Sequence, residues 1–517
     1  MSKSLNYFFQ DELTFGVGGW LWNQGFAREF QKRKGYDVAP LLAGLFIDIG
    51  PRTPKIRLDY SDVMVSLCEE NYFRPIFDWH QSRGLIYACD PGSRGLNPHE
   101  FGDYFRCVRW YTAPGNDTPG ASADFNKEKV ASSIAHLYRR PRVWLEGYHS
   151  LGWGATPATI YDATAHNFLF GATLLNLHGL YYTTHGGFWE WAPPCYHFRM
   201  PYWDHMGVFL KHFERLSYLL SQGTHSCDVA IVYPVAPFQA GMGGGEASDA
   251  AFNGGNELYR KHAIDFDFMD FESLARAKIE NKEIRVSGEA YRVLVLPAMK
   301  ALNDSTLTRA AEFFRGGGMV VAFRALPEAS DRAGRDDPQL DAMVREMFGL
   351  TAAEVKAGRK ASPQTNAAGG VGLFTAAIDE VVEIMDARFP RQFASEKGGH
   401  ALHRKIGDRD VFMVMDAPKN SVCEFRATGR AELWNAWTGK ATPLYTAIPT
   451  KHGTRVRLPL EGNETQLVVF SPGKSEFTVE NTDLNEVLGV ENKNGRVLVR
   501  GTAMTAGTKN AVVRHDG

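Results

Sequence analysis

Residues 129–147 read KVASSIAHLYRRPRVWLEG. Val130, Ile134 and Leu137 recur at helical spacing, so KVASSIAHLYRR (129–140) predicts a helix with one apolar face. RVWLE (142–146) then predicts a strand, rich in the β-branched and aromatic residues that strands favour. It closes on a single carboxylate, Glu146, and the chain breaks into glycine. His149 and Trp153 follow directly behind that acid. A helix leading into an apolar strand that ends on a lone acid is one unit of a parallel sheet covered by helices.

The same unit recurs on either side. LNYFFQDE (5–12), LIYACDP (85–91), YFRCVRWYT (104–112) and LYYTTHG (180–186) predict further strands. Helices are predicted over 27–37, closed by Gly35, over 58–83 with a kink at Pro75, over 158–179 and over about 203–221. Four of the five strands end in a polar cluster. Chemistry at the C-terminal ends of successive parallel strands is the habit of the (β/α)8 barrel. Five strands are counted where closure needs eight, so three strand–helix units are expected to be absent ahead of the first.

Near residue 226 the texture changes. CDVAIVYP (227–234), EAYRVLVLP (289–297) and GGGMVVAF (316–323) are continuous apolar strands, with helices near 254–263 and 304–315. This predicts a small doubly wound α/β domain. Gly316, Gly317 and Gly318 precede a strand instead of opening a helix, so they predict a cap and turn, not a nucleotide loop. Residues 325–400 carry little pattern. After 400, short alternating strands predict a β-sandwich. The fold class is therefore α/β: a partial barrel over 1–222, a Rossmann-like or amidotransferase-like domain over 223–400, a sandwich over 401–475 and a partial β module or tail over 476–517.

Composition removes several classes. The 57 Lys and Arg nearly cancel the 59 Asp and Glu, leaving a net charge of −2 and no basic stripe for nucleic acid. The six cysteines are scattered without a CxxC pair, so neither zinc nor a disulfide scaffold is predicted. No apolar stretch reaches the roughly 18 residues of a membrane span. The opening residues carry no signal peptide, which predicts a cytoplasmic chain, or a periplasmic or secreted one if an N-terminal part is missing. Aromatic residues reach 12%, with 11 Trp; rings stack on sugars, and they also fill cores.

Glu12 and Glu146 stand out because each ends a predicted strand. Only a fold that converges strand ends would bring them together. Hydrolysis of a glycosidic bond needs such a pair: one protonated carboxyl for the leaving oxygen, one carboxylate on the opposite ring face. Around them, Asp11, Asp90, His149, Trp153, His185 and Trp189 are candidate substrate contacts. Each has a plainer explanation, as a capping, salt-bridged or packed residue. Only the combination points to a sugar cleft.

The segment from Lys129 to Tyr182, together with FFQDELTFG (8–16), FQKRKGYDVAPLL (30–42) and FDWHQSRGL (77–85), resembles the α-L-rhamnosidases of glycoside hydrolase family 106. The resemblance covers about residues 5–235. It implies inverting hydrolysis of α-L-rhamnosides, with Glu12 as general acid and Glu146 as the base that activates water. No cofactor is required for the chemistry, but the resemblance implies calcium assisting substrate binding. The sequence does not place its ligands, and Asp90 and Asp11 are the oxygen donors nearest to hand. The expected partner is a carbohydrate, with a missing N-terminal barrel segment or partner chain as a further one. A retaining β-galactosidase-like hydrolase is the alternative enzyme, weakened because Asp11 stands where those enzymes usually carry Asn. A non-catalytic glycan-binding or accessory protein is the alternative outside enzymes.

Overall fold

The computed structural model describes residues 5–14, 20–183 and 192–515. Strand β1 (Tyr7–Asp11) pairs in parallel with β2 (Ile86–Asp90). A parallel bridge between Ala88 and Ala113 leads on towards β3 (Gly115–Thr118), which pairs with β4 (Trp144–Gly147), and β4 pairs with β5 (Leu174–Leu177). The spatial order is therefore the chain order, with every neighbour parallel. Each connection runs through helices, because parallel neighbours need a crossover. Helices α1 (Phe26–Lys34), α2 (Thr53–Cys68) and α3 (Arg74–Gln81) join β1 to β2. The short α4 (Tyr104–Val108) follows β2, α5 (Phe125–Leu137) follows β3, and α6 (Pro157–Phe170) follows β4. After β5 comes α7 (Met206–Leu220).

Two predicted strands are misplaced. YFRCVRWYT is not a strand: Asp103 accepts from the Arg106 amide at 3.1 Å and caps helix α4. The true third strand, GNDT, opens on Gly115, Asn116 and Asp117, which strands disfavour, so the neighbouring aromatic run took its place in the reading. The predicted helix 158–179 stops at Phe170, where Gly171 turns at φ 124°. The fifth strand is then Leu174–Leu177, and residues 180–183 are not a strand; the rest of that predicted strand lies outside the described residues. The kink predicted at Pro75 is a turn of π-helix, Glu69–Phe73, after which Pro75 sits in the first turn of α3.

The five strands curve strongly. Phe9 of β1 stacks on Trp144 of β4 with ring centroids 4.7 Å apart, although three strand spacings separate their backbones. In a flat sheet those spacings would sum to about 14 Å. Ala88, Ala113 and Leu174 complete this inner layer. Gly115 lies beneath it, and a Cβ there would meet the Trp144 side chain and carbonyl at 2.4 Å. Gly115→Ala is therefore expected to destabilise the chain by about 1–3 kcal/mol through overpacking, read from its denaturant midpoint.

A six-stranded sheet follows, with Phe266–Met269, Val229–Val232, Val293–Pro297, Met319–Phe323 and Val371–Thr375 parallel and Gln364–Thr365 antiparallel at one edge. The patternless stretch 325–400 contributes helices Pro338–Phe348 and Ile378–Arg388 to it. Beyond, two antiparallel sheets of six and four strands enclose Phe393, Phe412, Phe425 and Phe470. The pair Thr224–His225 joins the larger of these sheets, before the chain enters the parallel one.

The junction of these parts holds a buried ionic cluster. Asp267 accepts from His136 of α5 at 2.9 Å, from His225 at 2.9 Å and from Tyr291 at 3.0 Å. Asp265 pairs with His225 at 2.8 Å and with Lys129 of α5 at 2.8 Å. Burial works against the His225 charge, yet Asp267 and Asp265 raise its pKa to about 9. Three segments distant in sequence are thereby cross-linked by charge. Among the described residues, no helix is long and apolar enough to cross a membrane.

Candidate active site

The strand register sets the site. Asp11 lies opposite Asp90, and Glu146 lies opposite both Asp117 and Asn176. Each is at or next to the C-terminal end of its strand, above the Phe9–Trp144 layer. The sheet curvature then closes the distance. Carboxylate oxygens of Asp11, Asp90 and Glu146 all lie within 4.8 Å of one another, although they come from β1, β2 and β4.

Crowded acids cannot all ionise cheaply. Burial first, then the neighbouring charge of Glu146, pushes Asp90 up to about 8. Burial first, then Asp11 and Asp117, pushes Glu146 up to about 7. Asp90 is fully buried, and among the described residues its Oδ2 has no hydrogen-bond partner. Near neutral pH the site therefore holds one protonated carboxyl and one carboxylate poised to change state.

Arg94 balances part of this charge. Its guanidinium pairs with Asp117 at 2.5 Å and with Glu12. Glu12 leaves its strand at φ 37°, its amide donates to Asp90 at 3.2 Å, and its side chain is 59% exposed. The sequence thus puts Glu12 at the rim, with Asp11 beside it inside the cluster. His178, in the loop after β5, approaches Glu146 at 4.0 Å, and His149 lies against it with ring centroids 5.5 Å apart. Burial lowers the His149 pKa. Trp153, six positions beyond β4, is 37% exposed. His185 and Trp189 lie outside the described residues.

Three residues here escaped the sequence reading. Asp117 was hidden by the misplaced third strand. His178 was hidden by the overlong helix, which the Gly171 cap could have shortened. Arg94 carries no local signal, since its role comes only from partners 23 and 82 positions away.

Residues 1–447 match the sequence profile of the alpha-L-rhamnosidases of glycoside hydrolase family 106. The chain belongs to that family. Among solved structures, it is similar to a rhamnosidase from Novosphingobium sp. PP1Y, with a TM-score of 0.73 and 17% identity over 96% of this chain and 49% of that one. A beta-galactosidase of glycoside hydrolase family 42 from G. stearothermophilus shares the fold at a TM-score of 0.57 and 14% identity, covering 86% of this chain and 75% of that one. A curated protein of Formosa agariphila, named “Putative beta-glucuronidase”, is 24% identical over 90% of this chain and 38% of its own length. This family 106 chain thus spans half or less of the rhamnosidase and of the curated relative. The family's members are glycosidases.

Proposed function

We propose that this chain carries the catalytic face of an α-L-rhamnosidase, on five strands of a (β/α)8 barrel followed by an α/β domain and a β-sandwich. The convergence of Asp11, Asp90 and Glu146 within 4.8 Å carries the reading, because it brings acids from the ends of three different strands to one point. The stack of Phe9 on Trp144 supports the barrel curvature.

In this mechanism Glu146 is the general base. Its pKa near 7 matches what a base needs at neutral pH, and it accepts a proton from the water that attacks the anomeric carbon. Glu12 gives the proton to the leaving oxygen from the rim, after substrate displaces Arg94 from it. Water attack opposite the leaving group inverts the anomeric configuration. His149, His178 and Trp153 line the sugar side.

Calcium fits the same place. Asp11 and Asp90 offer oxygen donors, and the Asp90 Oδ2, unpartnered among the described residues, could serve as a ligand atom once its proton is displaced. A bound calcium would supply a positive charge and a contact for sugar hydroxyls.

The test is hydrolysis of a chromogenic α-L-rhamnoside, with the first-formed anomer read by NMR. Inverted rhamnose is expected; retained configuration or no cleavage by a folded protein with a complete cleft would remove the reading. In chelator-treated protein, kcat/KM should rise with pH through an acidic limb near 7. Asp11 is the leading charge that raises Glu146, so Asp11→Asn should move that limb to lower pH.

A further inference from the structure

We propose that Glu128, in the first turn of α5, is a positioning residue: as a neutral acid it pairs with the Asn116 amide behind β3 and so fixes the strand that presents Asp117 to Arg94. Its effect on turnover rests on the glycosidase reading above; the tie itself does not. Successive side chains of a strand point to opposite faces. Asp117 pairs with Arg94 on the site face, so Asn116 and Thr118 face the helices. There α5 packs on β3 and brings Glu128 against Asn116. Glu128, Asn116 and Thr118 are all fully buried. Among the described residues, neither oxygen of Glu128 and neither polar atom of the Asn116 amide has a hydrogen-bond partner. A native fold rarely leaves so many buried polar atoms unmatched.

A proton on Glu128 matches them. Burial pushes this acid up to about 8; the Asn116 side chain and the Lys127 charge oppose the shift, and Asp124 adds to it. The remaining titratable neighbour is Tyr148, a phenol that burial keeps neutral. A neutral carboxylic acid has one O–H donor and a carbonyl acceptor, and a primary amide has the complement. The acid O–H then donates to Asn116 Oδ1, while Asn116 Nδ2 donates to the acid carbonyl. This cyclic pair satisfies all four atoms, and it needs only that two facing side chains close to hydrogen-bond distance. An ionised Glu128 keeps at most the bond from Nδ2 and buries a charge that no cation contacts. Lys127 is engaged elsewhere: its Nζ donates to the Asp117 carbonyl at 3.3 Å and lies 3.7 Å from the Asp117 carboxylate. The first turn of α5 thus grips β3 at two adjacent residues, Asn116 through Glu128 and Asp117 through Lys127. Asp117 in turn holds Arg94 and is one of the charges that raise Glu146.

The experiment compares the full 517-residue chain with its Glu128→Gln and Glu128→Ala variants. Gln repeats the pairing with Asn116 at every pH, and Ala repeats it at none. The infrared spectrum of the wild type minus that of Glu128→Gln should contain a protonated-acid carbonyl band that fades as pH rises through about 8. Hydrogen-exchange protection of the β3 amides should fall several-fold between pH 7 and pH 9 in the wild type and stay level in Glu128→Gln. In Glu128→Ala it should be low at both; if that variant does not fold, the Gln comparison decides alone. For rhamnoside hydrolysis, the ratio of kcat/KM in Glu128→Gln to that in the wild type cancels every limb the two share. It should be near one at pH 6 and rise up to about ten-fold at pH 9, where about one Glu128 in ten keeps its proton. A band that does not titrate, wild-type protection that ignores pH, or the same pH dependence in Glu128→Gln would each overturn the proposal. A flat activity ratio beside a tie that titrates would overturn the hold of Glu128 on the site. No cleavage at any pH, with the tie behaving as expected, would sink the rhamnosidase reading alone.

Discussion

Glu146→Gln is expected to lower α-L-rhamnoside turnover by about 10²–10⁴-fold, the usual contribution of a positioned base, with KM changed little. The amide keeps the shape but accepts no proton from water. The same substitution should make the protein more heat-stable in alkaline buffer. Glu146 ordinarily titrates near 4.3 in an unfolded chain and near 7 here, so folding disfavours its ionised form. The sign follows directly. Below pH 4 both states are protonated and the group costs nothing. As pH rises past 4 the unfolded state ionises first, and the penalty grows until about pH 7, then stays. Glu146→Gln removes it, so the variant should melt above the wild type at pH 8 and level with it near pH 4. Loss of activity with no pH-dependent gain in stability would mean that Glu146 is not held among charges as the structure has it. A gain in stability with full activity would take it out of the reaction.

Asp267→Ala is expected to cost about 3–5 kcal/mol, the typical effect of removing one partner from a buried ion pair. The loss leaves His225 charged and unmatched on one side, and deprives His136 and Tyr291 of their acceptor. Chemical denaturation should show the midpoint falling, and Tyr291→Phe should cost far less because it removes no charge. A pH effect accompanies it. His225 is raised above its unfolded value of about 6.5, so its contribution is fully present below pH 6.5 and is lost as pH rises through about 9. Wild-type stability should therefore decline over that window, and the decline should shrink in Asp267→Ala. An unchanged slope would place the alkaline loss elsewhere.

Much of the five-strand region could be read from the residues in order. Val130, Ile134 and Leu137 disclosed their helix because buried faces repeat every three to four positions. RVWLE disclosed its strand because branched and aromatic side chains pack on a pleated surface. Gly35 marked the end of α1, where it turns at φ 77°. GNDT defeated the same reasoning: it is a strand because β2 and β4 flank it, not because its residues favour extension. The doubly wound sheet was also only half legible, since its strand Val371–Thr375 and the edge strand Gln364–Thr365 beside it lie in a stretch without pattern.

The sequence by itself determined the kind of chemistry available: acids at strand ends, a chain rich in rings, near-neutral charge and the family to which these segments belong. Tertiary structure decided which acids meet. Glu12 and Asp11 are adjacent in the chain, yet the pleat and the turn at Glu12 send one to the rim beside Arg94 and the other into the cluster with Asp90 and Glu146. The raised pKa values of Asp90 and Glu146 arise from burial and from neighbouring carboxylates, and both depend on how tightly five strands curve. That curvature is a collective property of packed layers such as Phe9 on Trp144, and no local propensity encodes it.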